Sequence, residues 1–203
     1  MKSIVKNLFV GLFIAAYFLF ASSPTVLAQG VVARSGDVAD NVGSSSLTGV
    51  DGNKHVNFGF SGGYNLTDKI TVLGEYSYLP MGSVSASEGG FSAHLQQLGG
   101  AVRFNFLSSK RVVPYAVAGF GYARSSSEDG ITLGPDIANG NGFYLPFGGG
   151  ASIYLGHHWG IRPEFRNEFQ AFYSVPLRGW RGEYVALGTT SVFYQWGGRG
   201  MKK

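Results

Sequence analysis

The sequence predicts an all-β fold, an eight-stranded antiparallel up-and-down transmembrane β-barrel that follows a cleaved signal peptide. Three observations predict it. Apolar and polar side chains alternate in segment after segment, which is the period of a strand. Charged residues make up 14% of the chain while Gly reaches 32 and aromatics 15%, and soluble domains average about 25% charged. Short connections alternate with long ones, the asymmetry of barrels with tight turns at one end and long loops at the other.

The start of the chain is set apart from the fold. Lys2 and Lys6 precede an apolar run of 14 residues, Leu8 to Ala21. That run is shorter than the roughly 20 residues of a spanning helix. Val26 and Ala28 supply the small side chains of a signal-peptidase site. Residues 1–28 are therefore expected to be a secretory signal peptide, and residues 29–203 a barrel domain. No later apolar run approaches helical spanning length, so membrane residence would have to come from strands.

Export and composition exclude several classes. There is no cysteine, which removes disulfides and thiolate metal sites. Without Lys2 and Lys6, 14 basic residues face 12 acidic ones. That balance argues against a nucleic-acid partner. No cofactor motif is present: Gly148 to Gly150 is followed by no helical pattern and is no phosphate loop.

Seven strands are expected, at about 53–66, 69–79, 91–107, 111–123, 141–155, 159–173 and 182–196. In "HVNFGFSGGYNL" Val56, Phe58, Phe60, Tyr64 and Leu66 share one face, and His55, Asn57 and Asn65 the other. "ITVLGEYSY" sets Ile70, Val72, Tyr76 and Tyr78 against Thr71, Leu73, Glu75 and Ser77. "QLGGAVRFNF" sets Leu98, Val102, Phe104 and Phe106 against Gln97, Arg103 and Asn105. "VVPYAVAGFGYA" is apolar on both faces and leaves its sides open. "FYLPFGGGASIYL" puts Phe143, Leu145 and Phe147 on one face. "IRPEFRNEFQAFY" opposes Arg162, Glu164, Arg166 and Glu168 to Pro163, Phe165 and Phe169. The last segment puts Val192, Tyr194 and Trp196 opposite Ser191 and Gln195. An odd count would leave the termini on opposite sides, so 31–39 is taken as a short first strand.

The connections are expected as tight turns at 67–69, 108–111 and 156–159. The segments 39–52, 80–90, 124–140 and 174–181, rich in Gly, Ser, Asp and Asn, are expected as long loops.

"GFSGGYNLTDKITVLGEYSY", "QQLGGAVRFNF", "RVVPYAVAGFGYA", "LPFGGGASIYLGHHWGIRPEFRNEF" and the closing "SVFYQWG" together resemble the small OmpA/OmpX-like outer-membrane β-barrel domains of Gram-negative cells, over about residues 53–197. The resemblance implies an outer-membrane location, with short turns and both mature termini in the periplasm. It also implies outer-membrane lipid and the barrel assembly machinery as partners, and exposed loops as the place for a surface ligand. The family usually ends on an aromatic residue, whereas here Trp196 is followed by "GGRGMKK".

Two sets of residues carry the functional expectation. His55, Glu75, Arg103, Arg162, Glu164, Arg166 and Glu168 are expected to form a lumenal polar network, because eight strands leave room only for side chains and buried charges pair. Phe58, Phe60, Tyr64, Tyr76, Tyr78, Phe104, Phe143, Phe147, Phe165, Phe169, Tyr194 and Trp196 are expected to face lipid and its interfaces. The leading reading is a filled barrel with a structural or surface-interaction role. The alternatives are a narrow pore for ions or small solutes and, more remotely, a lipid-modifying enzyme. No catalytic or metal-binding residue is expected. His94 lies near Ser92 without the His-x-Ser spacing of barrel deacylases, and the adjacent His157 and His158 occupy a turn.

Overall fold

The computed structural model describes residues 30–47, 55–86, 89–108, 110–127, 140–174 and 179–197. These form one closed antiparallel barrel in which each strand pairs with its sequence neighbours and the last pairs with the first. The strands are β1 (Ser35–Leu47), β2 (His55–Asn65), β3 (Ile70–Ala86), β4 (Gly89–Asn105), β5 (Val112–Ser127), β6 (Asn141–Tyr154), β7 (Trp159–Ser174) and β8 (Gly179–Gly197). Closure satisfies the backbone N–H and C=O groups strand to strand and leaves no edge, as a sheet surrounded by lipid requires.

Short turns join β2 to β3, β4 to β5 and β6 to β7. Thr67 builds the first: its Oγ1 accepts the amides of Lys69 and Ile70 at 3.1 and 2.9 Å. β1 begins and β8 ends beside these turns, with Ser35 opposite Gly197.

The first strand differs from the expected 31–39. It runs Ser35–Leu47 and shares only residues 35–39 with that range. Its sequence "SGDVADNVGSSSL" is too polar and too small to show alternation. Pairing along both edges, with β2 and with β8, defines it instead. The expected long loops are shorter for a related reason. β1 takes up 39–47, the β3–β4 hairpin takes up 80–86 and 89–90, β5 takes up 124–127 and β8 takes up 179–181. Gly- and Ser-rich sequence reads as loop, yet a ladder begun in the barrel wall keeps backbone groups paired as it continues outward. The remainder of those segments, and the expected signal peptide at 1–28, lie outside the described residues.

Three prolines mark lapses in the ladder, because proline brings no N–H. Pro80 sits at the register shift between β3 and β4. The β5–β6 register jumps from Ala118↔Phe147 to Gly121↔Tyr144, passing over Pro146. The β6–β7 register jumps from Gly150↔Glu164 to Ile153↔Ile161, passing over Pro163.

The two faces of the wall differ sharply. Outward, Phe58, Phe60, Tyr64, Phe104, Phe147, Phe165 and Trp196 are exposed. Tyr76, Tyr78, Phe143, Phe169 and Tyr194 are half-buried on the same side. Each of those five rests against a neighbouring ring: Phe60, His94, Trp180, Tyr184 and Trp159 respectively, with centroids 4.7–5.5 Å apart. β5, which the sequence left unassigned, turns Val113, Tyr115, Val117 and Ala123 inward and exposes Phe120 and Tyr122.

Candidate functional site

The barrel interior is the candidate site, and its contents are layered. At the turn end lies a neutral layer. Asn65 Nδ2 donates to Ser35 Oγ at 2.7 Å, Thr71 Oγ1 donates to Asn65 Oδ1 at 2.5 Å, and Asn105 Nδ2 donates to Thr71 Oγ1 at 3.3 Å. Four strands are tied together there by side chains that carry no charge.

Above it sits a buried triad. Asp37 Oδ2 accepts from Arg103 Nη1 at 3.3 Å and from Arg162 Nη2 at 2.9 Å. Arg162 also donates through Nε to Ser152 Oγ at 3.1 Å, and its guanidinium stacks 4.4 Å from the Phe193 ring centroid. Arg103 lies 5.0 Å over the Tyr115 ring. Guanidinium groups suit this setting because they stack on aromatic faces while keeping their in-plane donors free for carboxylates.

The next layer crosses the barrel at mid-height. Arg166 Nη1 donates to Glu75 Oε2 at 2.7 Å, while Arg166 Nε pairs with Glu164 Oε1. Tyr115 OH donates to Glu164 Oε2 at 2.7 Å, and Tyr144 OH donates to Glu75 Oε1 at 3.4 Å. Glu168 accepts from Gln97 at 2.6 Å and from Gln170 at 3.2 Å. An apolar cluster of Leu79, Leu95, Ala123, Tyr144, Phe172, Val185 and Leu187 lies over this layer. Between the two is a cavity of about 30 Å³ bordered by Asn57, Glu75, Glu164, Arg166, Glu168 and Leu187.

The structure thus brings Glu75, Arg103, Arg162, Glu164, Arg166 and Glu168 into the interior. His55 occupies a β2 position opposite Ser45, and its side chain lies outside the described ones. Asp37 and Tyr115 are among the partners outside the expected network. Asp37 sat in a segment too polar to show a face, and Tyr115 in a strand apolar on both faces. Charge balance gave no signal for Asp37, because the expected interior already set three arginines against three glutamates.

Residues 13–174 match the family described as outer membrane protein beta-barrel domain. The chain belongs to that family. A search of the curated proteins returned no match. Three solved members of the same architecture are similar in fold. Neisserial surface protein A (NspA) superposes with a TM-score of 0.60 at 14% identity, over 80% of this chain and 96% of its own. OprG of Pseudomonas aeruginosa gives 0.53 at 11% identity, over 83% and 99%. Ail, the attachment invasion locus protein of Yersinia pestis, gives 0.52 at 13% identity, over 81% and 99%. This outer-membrane barrel therefore has an outer-membrane location, and at these identities the likeness extends to the fold.

The histidines of this outer membrane protein beta-barrel domain are placed as follows. His94 Nε2 lies 2.8 Å from Ser126 Oγ across the β4–β5 pair, at the rim away from the turns. Among the described residues no carboxylate bonds to His94, so none of them supplies the acid that orients the ring in a catalytic triad. His158 Nδ1 lies 2.8 Å from the Gln195 carbonyl. No group of three or more potential metal ligands occurs among the described residues.

Proposed function

We propose that this outer-membrane barrel is a non-conducting and non-catalytic protein with a structural or surface-interaction role. The observation that carries this is the Glu75–Arg166–Glu164 chain, which runs from β3 to β7 through the middle of the interior. Interlocked ion pairs with apolar packing above them border a space of about 30 Å³, room for a few water molecules. A hydrated ion needs a continuous column of water.

The outward aromatic belt then meets lipid, with Trp159, Trp196 and Tyr64 at the turn-side interface. The short turns and both mature termini lie in the periplasm, after removal of the signal peptide at 1–28. Strand β8 offers its terminal aromatic, Trp196, to the barrel assembly machinery. The connections at the far rim are the surface available to a partner. Protease treatment of intact cells should leave tags at either mature terminus uncut.

The test of the closed interior is single-channel recording from the full chain in planar bilayers. No conductance steps are expected. Regular steps would overturn the closed reading and establish the alternative, a narrow pore for ions or small solutes, for which the cavity beside Arg166 and Glu75 is the supporting observation. The remoter alternative, a lipid-modifying enzyme, rests on the His94–Ser126 pair. Lipid A mass spectra from cells with and without the protein should be identical.

A further inference from the structure

Among the described residues, the outward face of the strands carries two charged side chains, Asp40 and Arg124. Arg124 is the twelfth residue after Val112, where β5 leaves its short turn. A strand tilted by about 40° gains ~2.5 Å of height per residue. Arg124 therefore stands ~30 Å above the turn end, just beyond the ~25 Å apolar band of such barrels. That is the level of lipid headgroups.

The cross-strand neighbours of Arg124 are polar. It lies opposite Gln96 on β4 and opposite Asn141 on β6. His94 and Ser126 form their 2.8 Å contact on the same outward side, one pair further along. Tyr78 stacks on His94 with ring centroids 5.3 Å apart. At the comparable level of β7 and β8 the outward side chains are aromatic: Phe169, Tyr173, Tyr184 and Trp180. Arg124 is exposed and has no ion pair among the described residues, so none of them neutralises its charge.

We propose that this arc, built on Arg124 with Gln96, His94 and Ser126, binds the phosphate of an anionic lipid headgroup. The guanidinium presents a planar fork of donors that matches two phosphate oxygens at once. The Gln96 amide on the neighbouring β4 and the Ser126 hydroxyl, two residues further along β5, add polar groups beside it. The Tyr78 ring packs at the boundary between acyl chains and headgroups, where aromatic rings favour both surroundings. The site lies on the outer wall and is independent of whether the interior conducts.

The experiment is native mass spectrometry of the full chain in detergent micelles, titrated separately with phosphatidylglycerol and phosphatidylcholine of equal chain length. Phosphatidylglycerol is expected to be retained in preference to phosphatidylcholine. Arg124→Gln should weaken its retention about fivefold, the worth of one basic residue at an anionic surface. Lys69→Gln, in the turn at the opposite rim, should leave it unchanged. Heat-dependent gel migration verifies that each variant is folded. Equal retention by wild type and Arg124→Gln, or an equal loss with Lys69→Gln, overturns the site. Displacement of the lipid by inorganic phosphate at comparable concentration overturns the lipid assignment and makes a soluble anion the ligand.

Discussion

Arg166 Nη1 reaches Glu75 Oε2 at 2.7 Å, so a side chain of β7 is bonded to one of β3 through the centre of the barrel. Removing Arg166 strands two carboxylates, Glu75 and Glu164, away from water. Breaking one partner of a buried pair costs about 3–5 kcal/mol. Arg166→Ala should lower unfolding stability in vesicles by that order, measured by urea titration of tryptophan fluorescence. The triple change with Glu75→Gln and Glu164→Gln should recover part of the loss. A wild-type midpoint for Arg166→Ala would show that the pair does not hold the barrel.

Asp37 is shared by Arg103 and Arg162. Asp37→Ala leaves two guanidinium groups facing each other, whereas Asp37→Asn keeps an acceptor oxygen between them. The alanine variant should be the less stable of the two, with a loss of about 3–5 kcal/mol. Identical urea midpoints for the two variants would remove Asp37 as the anchor of the lower layer.

Glycine matters where strands approach the interior rings. A Cβ on Gly121 would collide with the Tyr144 ring and lie 2.8 Å from Gly99 Cα. A Cβ on Gly62, on the outer wall, meets nothing within 4 Å. Gly121→Ala should cost about 1–3 kcal/mol through overpacking, while Gly62→Ala should be close to neutral. Thermal gel-shift midpoints for both variants decide this, and a neutral Gly121→Ala would mean that the Tyr144 ring moves freely.

Depth in the bilayer gives a further contrast. Phe165 is the sixth residue after Trp159, near the middle of the outward belt, whereas Tyr184 is thirteen residues before Gly197, past its edge. Phe165→Arg should cost about 2–4 kcal/mol and Tyr184→Arg about 0–1 kcal/mol. Refolding into vesicles at graded urea concentrations measures both. Equal costs would contradict the depth assigned to the belt.

Asp40 points outward five residues from the start of β1, amid Phe60, Val192 and Tyr194. A carboxyl group at that depth is unfavourable. Asp40→Val should therefore raise the urea midpoint, and a drop would assign Asp40 a partner that the wall itself lacks.

The fold was legible where side chains of contrasting size and polarity alternate. β2, β4 and β7 show it: Phe58 and Phe60 against Asn57 and Ser61, Phe104 against Arg103, and Phe165 against Glu164 and Arg166. β1 was not legible over its full length, because Ser, Gly and Asp carry no strand preference and its existence depends on partners distant in sequence. β5 was legible as a strand but not by face, since Val117 inside and Phe120 outside are both apolar. The candidate site suffered from both effects. Charges on one strand announce themselves by spacing, but the residue that meets each is chosen by register around the barrel. The Asp37–Arg162 pair joins positions 125 residues apart, and no local pattern encodes that.

β1 and β8 pair over thirteen consecutive positions, the one ladder in this wall that joins strands remote in sequence. Every other ladder joins sequence neighbours. Under a force applied to the two termini, that seam would be loaded first and sheared along its length. Once it parts, each remaining hairpin presents a fresh free edge to lipid. The force trace should show one large initial rupture followed by a descending series of hairpin extractions, and a chain circularly permuted within the β2–β3 turn should move the first rupture to the new pair of end strands.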